Sequence, residues 1–257
     1  MKNLKNLLAA SSFAAANLAF AAGYQIVEQG AANMGNAMAG ATANANNDAS
    51  AAFWNPSAAC FMPLEVGKTR VDSVLSLVLP TLCVNDRGSS PSAFMGPSSE
   101  GTCGTNEFVP NFYVVHRFSE DLFGTFSLTA PYGLESKYNN DWFGRMQGTR
   151  RYDSSYIEGI NHLYEFDCGK ESGWMYKVND WFSIGGGVSA QFAYCTLASY
   201  TPYGNLDYTG QSWSIGGNIG FSIQYAEDGR FGFSWRSQVS HNLTGGEHLN
   251  DVLRSNI

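Results

Sequence analysis

The sequence predicts an all-β fold, a transmembrane antiparallel β-barrel. Three observations carry that prediction. Charged residues make up only 14% of the 257, aromatics another 14%, and there are 28 glycines. Mean hydropathy is nevertheless slightly negative, so the apolar residues are not collected into long runs. Beyond the first residues no stretch reaches the roughly 18 apolar positions that a spanning helix needs. Past Pro63 the chain alternates apolar with small or polar residues between turn signals, which is the weak signature of barrel strands. The net charge of −7 and a pI near 5.0 argue against a nucleic-acid partner.

The chain begins "MKNLKNLLAASSFAAANLAFAAGYQ". Lys2 and Lys5, the apolar stretch from Leu7 and the small-x-small Ala19-Phe20-Ala21 read as a secretory signal peptide over 1–21, cleaved after Ala21. Residues 22–63 form the next unit. They are rich in Ala, Gly, Asn and Met with almost no β-branched residues, so short helices and loops of small side chains are expected to pack closely against something else. Asn55-Pro56 ends that run, because proline has no N–H and fixes φ. Residues 64–257 then read as strands.

Seven strands are expected, at about 66–79, 108–118, 122–134, 156–166 (or later, to 178), 181–197, 211–226 and 230–243. The fifth places Phe182, Ile184, Val188 and Phe192 opposite Ser183, Ser189 and Gln191. In the sixth, Trp213, Ile215, Ile219 and Phe221 oppose Ser212, Ser214, Asn218 and Ser222; in the seventh, Phe231, Phe233 and Trp235 oppose Ser234 and Arg236. A soluble sandwich would usually place Lys, Glu and Thr on its polar face. A face of Gly, Ser, Asn and Gln suits a lumen instead, with the apolar face turned to lipid. The fourth strand alternates poorly. The "AEDG" at 226–229 reads as a tight periplasmic hairpin.

Five cysteines fit an oxidising compartment only partly, since the number is odd. Cys83 and Cys103 bracket a Gly/Ser/Pro-rich loop that a disulfide could close or leave open. Cys60, Cys168 and Cys195 show no metal-ligand spacing and read as packing residues.

The stretch "AGYQIVEQGAANMGNAMAGATANANNDASAAFWNPS", together with "VPNFYV", "FGTFSLTAPYGLESKY", "YKVNDWFSIGGGVSAQFAY" and "GRFGFSWRSQV", resembles the FadL/TodX-type outer-membrane transporters of long-chain fatty acids and other hydrophobic compounds. The resemblance covers most of residues 22–243. It implies a 14-stranded barrel, of which about seven strands are present here, with residues 22–63 as a hatch inside the lumen. Asn55, Pro56 and Ser57 fall where the family has Asn-Pro-Ala, as a hinge or lock of the hatch; Ser57 is the departure. Ala130, Pro131, Tyr132 and Gly133 fall on a third strand that the family kinks inward to open the wall, and the missing proline N–H and the glycine suit a broken ladder. A basic residue on the fifth strand can meet the ligand carboxylate in this family, but "FAYCTLASY" has none. Arg145, Arg150 and Arg151, in a nearby expected loop, are the candidate substitutes, and a neutral ligand stays open.

The expected function is therefore passive, hatch-gated uptake by lateral diffusion, in the outer membrane of a Gram-negative bacterium, by a monomer. Partners would be hydrophobic small molecules, outer-membrane lipid and lipopolysaccharide, and the barrel assembly machinery, with no nucleic acid, cofactor or metal. Seven strands leave two open edges, which lipid does not tolerate, so the chain reads as the front half of a longer protein or as a truncated, non-functional barrel. A porin or adhesin is the rival barrel function, though charge ladders are missing from the polar face. A lipid hydrolase would need one of His116, His162, His241 and His248 beside an activated serine. No G-x-S-x-G elbow on a strand-to-helix turn is present, so the chain is not expected to be an enzyme.

Overall fold

A computed structural model describes residues 26–43, 48–88, 100–104, 106–138, 141–146, 148, 150–154, 169–227, 229–250 and 252–256. The expected signal peptide over 1–21 and the fourth-strand placement at 156–166 lie outside them. The order is α1 (Ala31–Gly35), α2 (Ala51–Trp54), a 3₁₀ segment (Pro56–Phe61), then β1 (Thr69–Val78), β2 (Leu82–Asn85), β3 (Glu100–Cys103), β4 (Glu107–Arg117), β5 (Leu122–Thr129), β6 (Gly133–Lys137) and β7 (Arg150–Ser154). β8 (Gly169–Asn179), β9 (Phe182–Thr201), β10 (Gly204–Ala226), β11 (Gly229–Arg236), β12 (Thr244–Leu249) and β13 (Val252–Asn256) follow.

One antiparallel sheet carries the order β1-β4-β5-β8-β9-β10-β12-β13, with β11 paired to β10, β6 to β7, and β7 to both β6 and β9. It makes seven passes in a curled half-barrel, and β13 begins a further one beside β12. Three passes are split among the described strands, the fourth being β7 plus β8, both paired with β9. The third is β5 plus β6, interrupted at 130–132. The seventh is β11 plus β12, both paired with β10 but separated by 237–243. The sequence reading ran that seventh strand unbroken to 243. It also left 244–257 without a strand, whereas β12 and β13 form a hairpin there. The expected loop at 83–103 is flanked by a second small sheet, β2 with β3.

Side-chain parity sorts the two faces as the alternation predicts. On the outer face Ile215 is 78% exposed, Leu75 65% and Trp235 55%, which is ordinary for a surface whose solvent is lipid. The opposite face receives residues 26–43 and 48–62. There Ala49, Ala51, Phe53, Ala58, Ala59, Cys60 and Met62 form one buried cluster with Tyr113 and Val115 of β4, Phe123 of β5 and Met175 of β8. The alanines allow the close approach, and the larger side chains come mostly from the wall.

Candidate functional site: the seam between the N-terminal segment and the wall

Asn55 ends α2 in extended backbone, and its side chain accepts a hydrogen bond from the Ser57 N–H as it caps the 3₁₀ segment. Pro56 opens that segment, where its missing donor costs nothing. The geometry aims the Asn55 amide at the wall. Its Nδ2 donates to Thr42 O at 2.7 Å, Ser222 Oγ at 3.0 Å and Phe221 O at 3.2 Å. Its Oδ1 also accepts from Ser57 Oγ at 2.8 Å. Ser57 Oγ lies 2.8 Å from Ser222 Oγ, and Ser183 Oγ donates to Ser57 O at 3.0 Å. Asn55, Ser57, Ser183 and Ser222 are all fully buried. A buried polar network satisfied at every member specifies one arrangement, because breaking any bond strands a group without water.

Two wall glycines make room for it. A Cβ at Gly220 would collide with Asn55 Oδ1, and one at Gly232 with Thr42 O. Two cations reach in from the wall to the segment's carbonyls. Arg236 donates to Phe53 O at 2.8 Å with its guanidinium over the Phe53 ring, and Arg117 donates to Leu64 O at 2.7 Å. On β1, Asp72 accepts from the Ala49 N–H at 2.8 Å and pairs with Arg70.

The other end of the segment fills the break in the third pass. Ala130 and Pro131 leave the ladder there, and their backbone groups find other partners. Ala130 N–H donates to Asn111 Oδ1 at 3.0 Å, Gln29 Nε2 donates to Ala130 O at 2.9 Å, and Ile26 N–H donates to Pro131 O at 3.0 Å. Tyr113 OH in turn donates to Gln29 O at 2.7 Å. The kink at Ala130–Tyr132 and the Asn55 network are thus both seated against residues 26–62, and Gly133 begins β6 just beyond.

These features sit in a chain whose residues 12–254 match the family of outer membrane protein transport proteins (OMPP1/FadL/TodX). The chain belongs to this family. It is a Gram-negative outer-membrane β-barrel. It is 24% identical to outer membrane protein P1 of Haemophilus influenzae over 93% of this chain and 58% of that protein. Its fold is similar to a Pseudomonas aeruginosa FadL homologue, at TM-score 0.66 and 20% identity, over 90% of this chain and 56% of that one. It is also similar to the Ralstonia pickettii toluene transporter TbuX, at TM-score 0.56 and 16% identity, over 77% and 55%. The chain spans somewhat over half the length of each of these relatives.

Asn55-Pro56 and the break at Ala130–Tyr132 are therefore brought to one seam, but the candidate arginines are not. Arg145 lies at the far end of β9, its guanidinium over the Tyr200 ring at 4.3 Å and its Nε buried with no hydrogen-bond partner. Arg150 and Arg151 are not in a loop, as expected; they lie on β7, paired with Ala198 and Leu197 of β9. Cys83 is in register with Thr102, and Cys103 with Leu82, so the two cysteines sit on adjacent strands without facing each other directly. The Cys103 side chain is outside the description. Among the described residues His241 meets a serine across the wall, its Nδ1 2.9 Å from Ser212 Oγ, but Ser212 is in mid-strand in β10 and not on an elbow. Sequence reasoning missed Gln29, Thr42, Asn111, Ser183, Ser222 and Arg236 as parts of the seam. Ser183, Ser222 and Arg236 carried a signal, their place on the polar face, but nothing local said what they would meet.

Proposed function

We propose that the chain forms part of a passive outer-membrane route for hydrophobic compounds, with residues 22–63 as its hatch and the break at Ala130–Gly133 as its lateral opening. The observation that supports this most is the Asn55 network, which adds buried hydrogen bonds to the wall beside the apolar contact of the hatch. Such a seam can release and reseat, since groups uncovered together can be rewetted together. Ligand would enter from outside, rest in the lumen, and leave sideways past the kink once residues 26–29 withdraw. Arg145, at the outer end, is the cation best placed to meet a fatty-acid carboxylate there, with Arg150 and Arg151 beside it on β7. A neutral compound is the alternative cargo, as for the toluene transporter TbuX. The barrel is proposed to act as a monomer in contact with lipid and lipopolysaccharide after delivery by the assembly machinery.

A tether tests the gate. Ser57→Cys with Ser222→Cys places two thiols where two hydroxyl oxygens are 2.8 Å apart, within the geometry a disulfide allows. Uptake of a fluorescent fatty acid and of toluene into vesicles should stop in the oxidised protein and return on reduction. Undiminished uptake with the disulfide formed would rule out a moving hatch.

A further inference from the structure

Above the hatch seam, the inner faces of β9 and β10 carry a second set of polar groups. Ser212 Oγ meets His241 Nδ1 at 2.9 Å, and His241 Nε2 meets Gln191 Oε1 at 3.2 Å. His241 reaches them because the seventh pass leaves the ladder between β11 and β12. Asn218 pairs with Arg236 below the break and Gln211 with Thr244 above it, so that pass holds one residue more than β10 does. Within the break a backbone bond remains, from Ser237 N–H to Gly217 O at 2.8 Å, and side chains supply others. Gly217 N–H donates to Ser237 Oγ at 2.9 Å, and Ser214 Oγ donates to Ser240 O at 2.7 Å. Between this cluster and the Asn55 network stands Asn218, on the same face of β10 as Ser212 and Ser222. Its Oδ1 is buried with no hydrogen-bond partner. Neither 183–191 nor 212–222 contains a charged residue, and Arg236 beside Asn218 is covered by the Phe53 carbonyl and ring.

We infer that this face is a hydrogen-bonding track for the head group of a ligand bearing a neutral hydroxyl, an alcohol or a phenol, leading from Gln191–His241–Ser212 through Asn218 to the hatch. The inference rests on the transport reading above. A buried, unpartnered acceptor selects for a donor. A hydroxyl supplies one, a hydrocarbon does not, and an ionised carboxylate brings a like partial charge to Asn218 Oδ1 without meeting an uncovered cation. At the lower end the hydroxyl arrives at Ser222 and Asn55, where it competes for the bonds that seat the hatch. A ligand of this kind would open its own path.

Three radiolabelled twelve-carbon probes decide it: 1-dodecanol, dodecanoate and dodecane, measured by equilibrium binding to the full chain in lipid nanodiscs with empty discs subtracted. Dodecanol is expected to bind about tenfold more tightly than either of the others, as one or two net hydrogen bonds allow. Asn218→Leu, which removes the unpaired acceptor at similar volume, should erase that preference, and Asn218→Ala should do so as well. Heat-modifiable mobility on gels reports separately whether each variant is folded. Equal binding of dodecanol and dodecane to the wild-type protein, or a preference that survives both substitutions, overturns the inference while leaving transport of hydrophobic compounds standing. Binding of none of the three above empty discs overturns both.

Discussion

Asn55 and Ser57 form the same contacts with different leverage. Asn55→Ala would strand Thr42 O and the Ser57 N–H in a buried seam, which should cost about 2–3 kcal/mol of hatch seating. Ser57→Ala removes a hydroxyl whose partners, Asn55 and Ser222, still hold each other, so about 1 kcal/mol is expected. Amide hydrogen exchange over residues 51–61 measures both, and the order of the two effects is the check. Cys60 offers a second readout. It is 5% exposed, and burial pushes its thiol up to about 12, so it holds almost no thiolate at pH 8. Maleimide should leave Cys60 unmodified in the wild-type protein. In Asn55→Ala, Cys60 should become reactive. Labelling of Cys60 at equal rates in both proteins would mean that Asn55 does not hold the hatch closed.

At the scale of elements, the hatch is short of regular structure, with four- and five-residue helices that could not persist alone. The wall holds them. Gly220→Ala would place a methyl group on Asn55 Oδ1 and against the Phe233 carbonyl of β11, and should unseat the hatch, as increased uptake or Cys60 labelling. Gly217→Ala is the control, because its added carbon finds Gly187 O at 3.5 Å, an ordinary contact. The third-pass break obeys the same logic. Pro131 breaks the ladder for reasons visible in the chain, but the freed Ala130 carbonyl is satisfied by Gln29 from the hatch. Gln29→Ala should leave that carbonyl unpaired and loosen residues 26–29, visible as faster exchange there with the β5–β8 ladder still protected.

The whole molecule is a sheet with two solvents. Its outer face shows Ile215, Leu75 and Trp235 because lipid is as apolar as they are; its inner face carries hydroxyls, amides and the hatch. Ile215→Lys and Ser214→Lys place the same charge on neighbouring residues of one strand. On the lipid face the cost is about 2–4 kcal/mol at the bilayer midplane, falling towards the interfaces, whereas an inner-face lysine keeps water or polar neighbours. The yield of heat-modifiable folded protein in the outer membrane should therefore fall for Ile215→Lys and hold for Ser214→Lys. Equal yields would contradict the assignment of faces.

Period-two alternation carries the strand faces on its own, since successive strand side chains point to opposite sides whatever lies beyond. That is why β9, β10 and β11, the change of character at Pro63 and the break at Pro131 were legible in the chain, and why motif spacing pointed to the family. The seventh-pass break at 237–243 was not legible, because "SQVSHNL" continues a passable alternation and only the one-residue mismatch with β10 expels it from the ladder. Nor could the chain say that Arg150 and Arg151 lie on a strand, since their pairing is with β9, far along the sequence. The sequence by itself determined the compartment, the class of fold and which residues face inward. Only the tertiary structure decided what those inward residues touch: Asn55 meets Ser222, Gln29 meets Ala130, and His241 meets Ser212 and Gln191. Alternation is a property of one strand, whereas a contact across the lumen depends on the register of several.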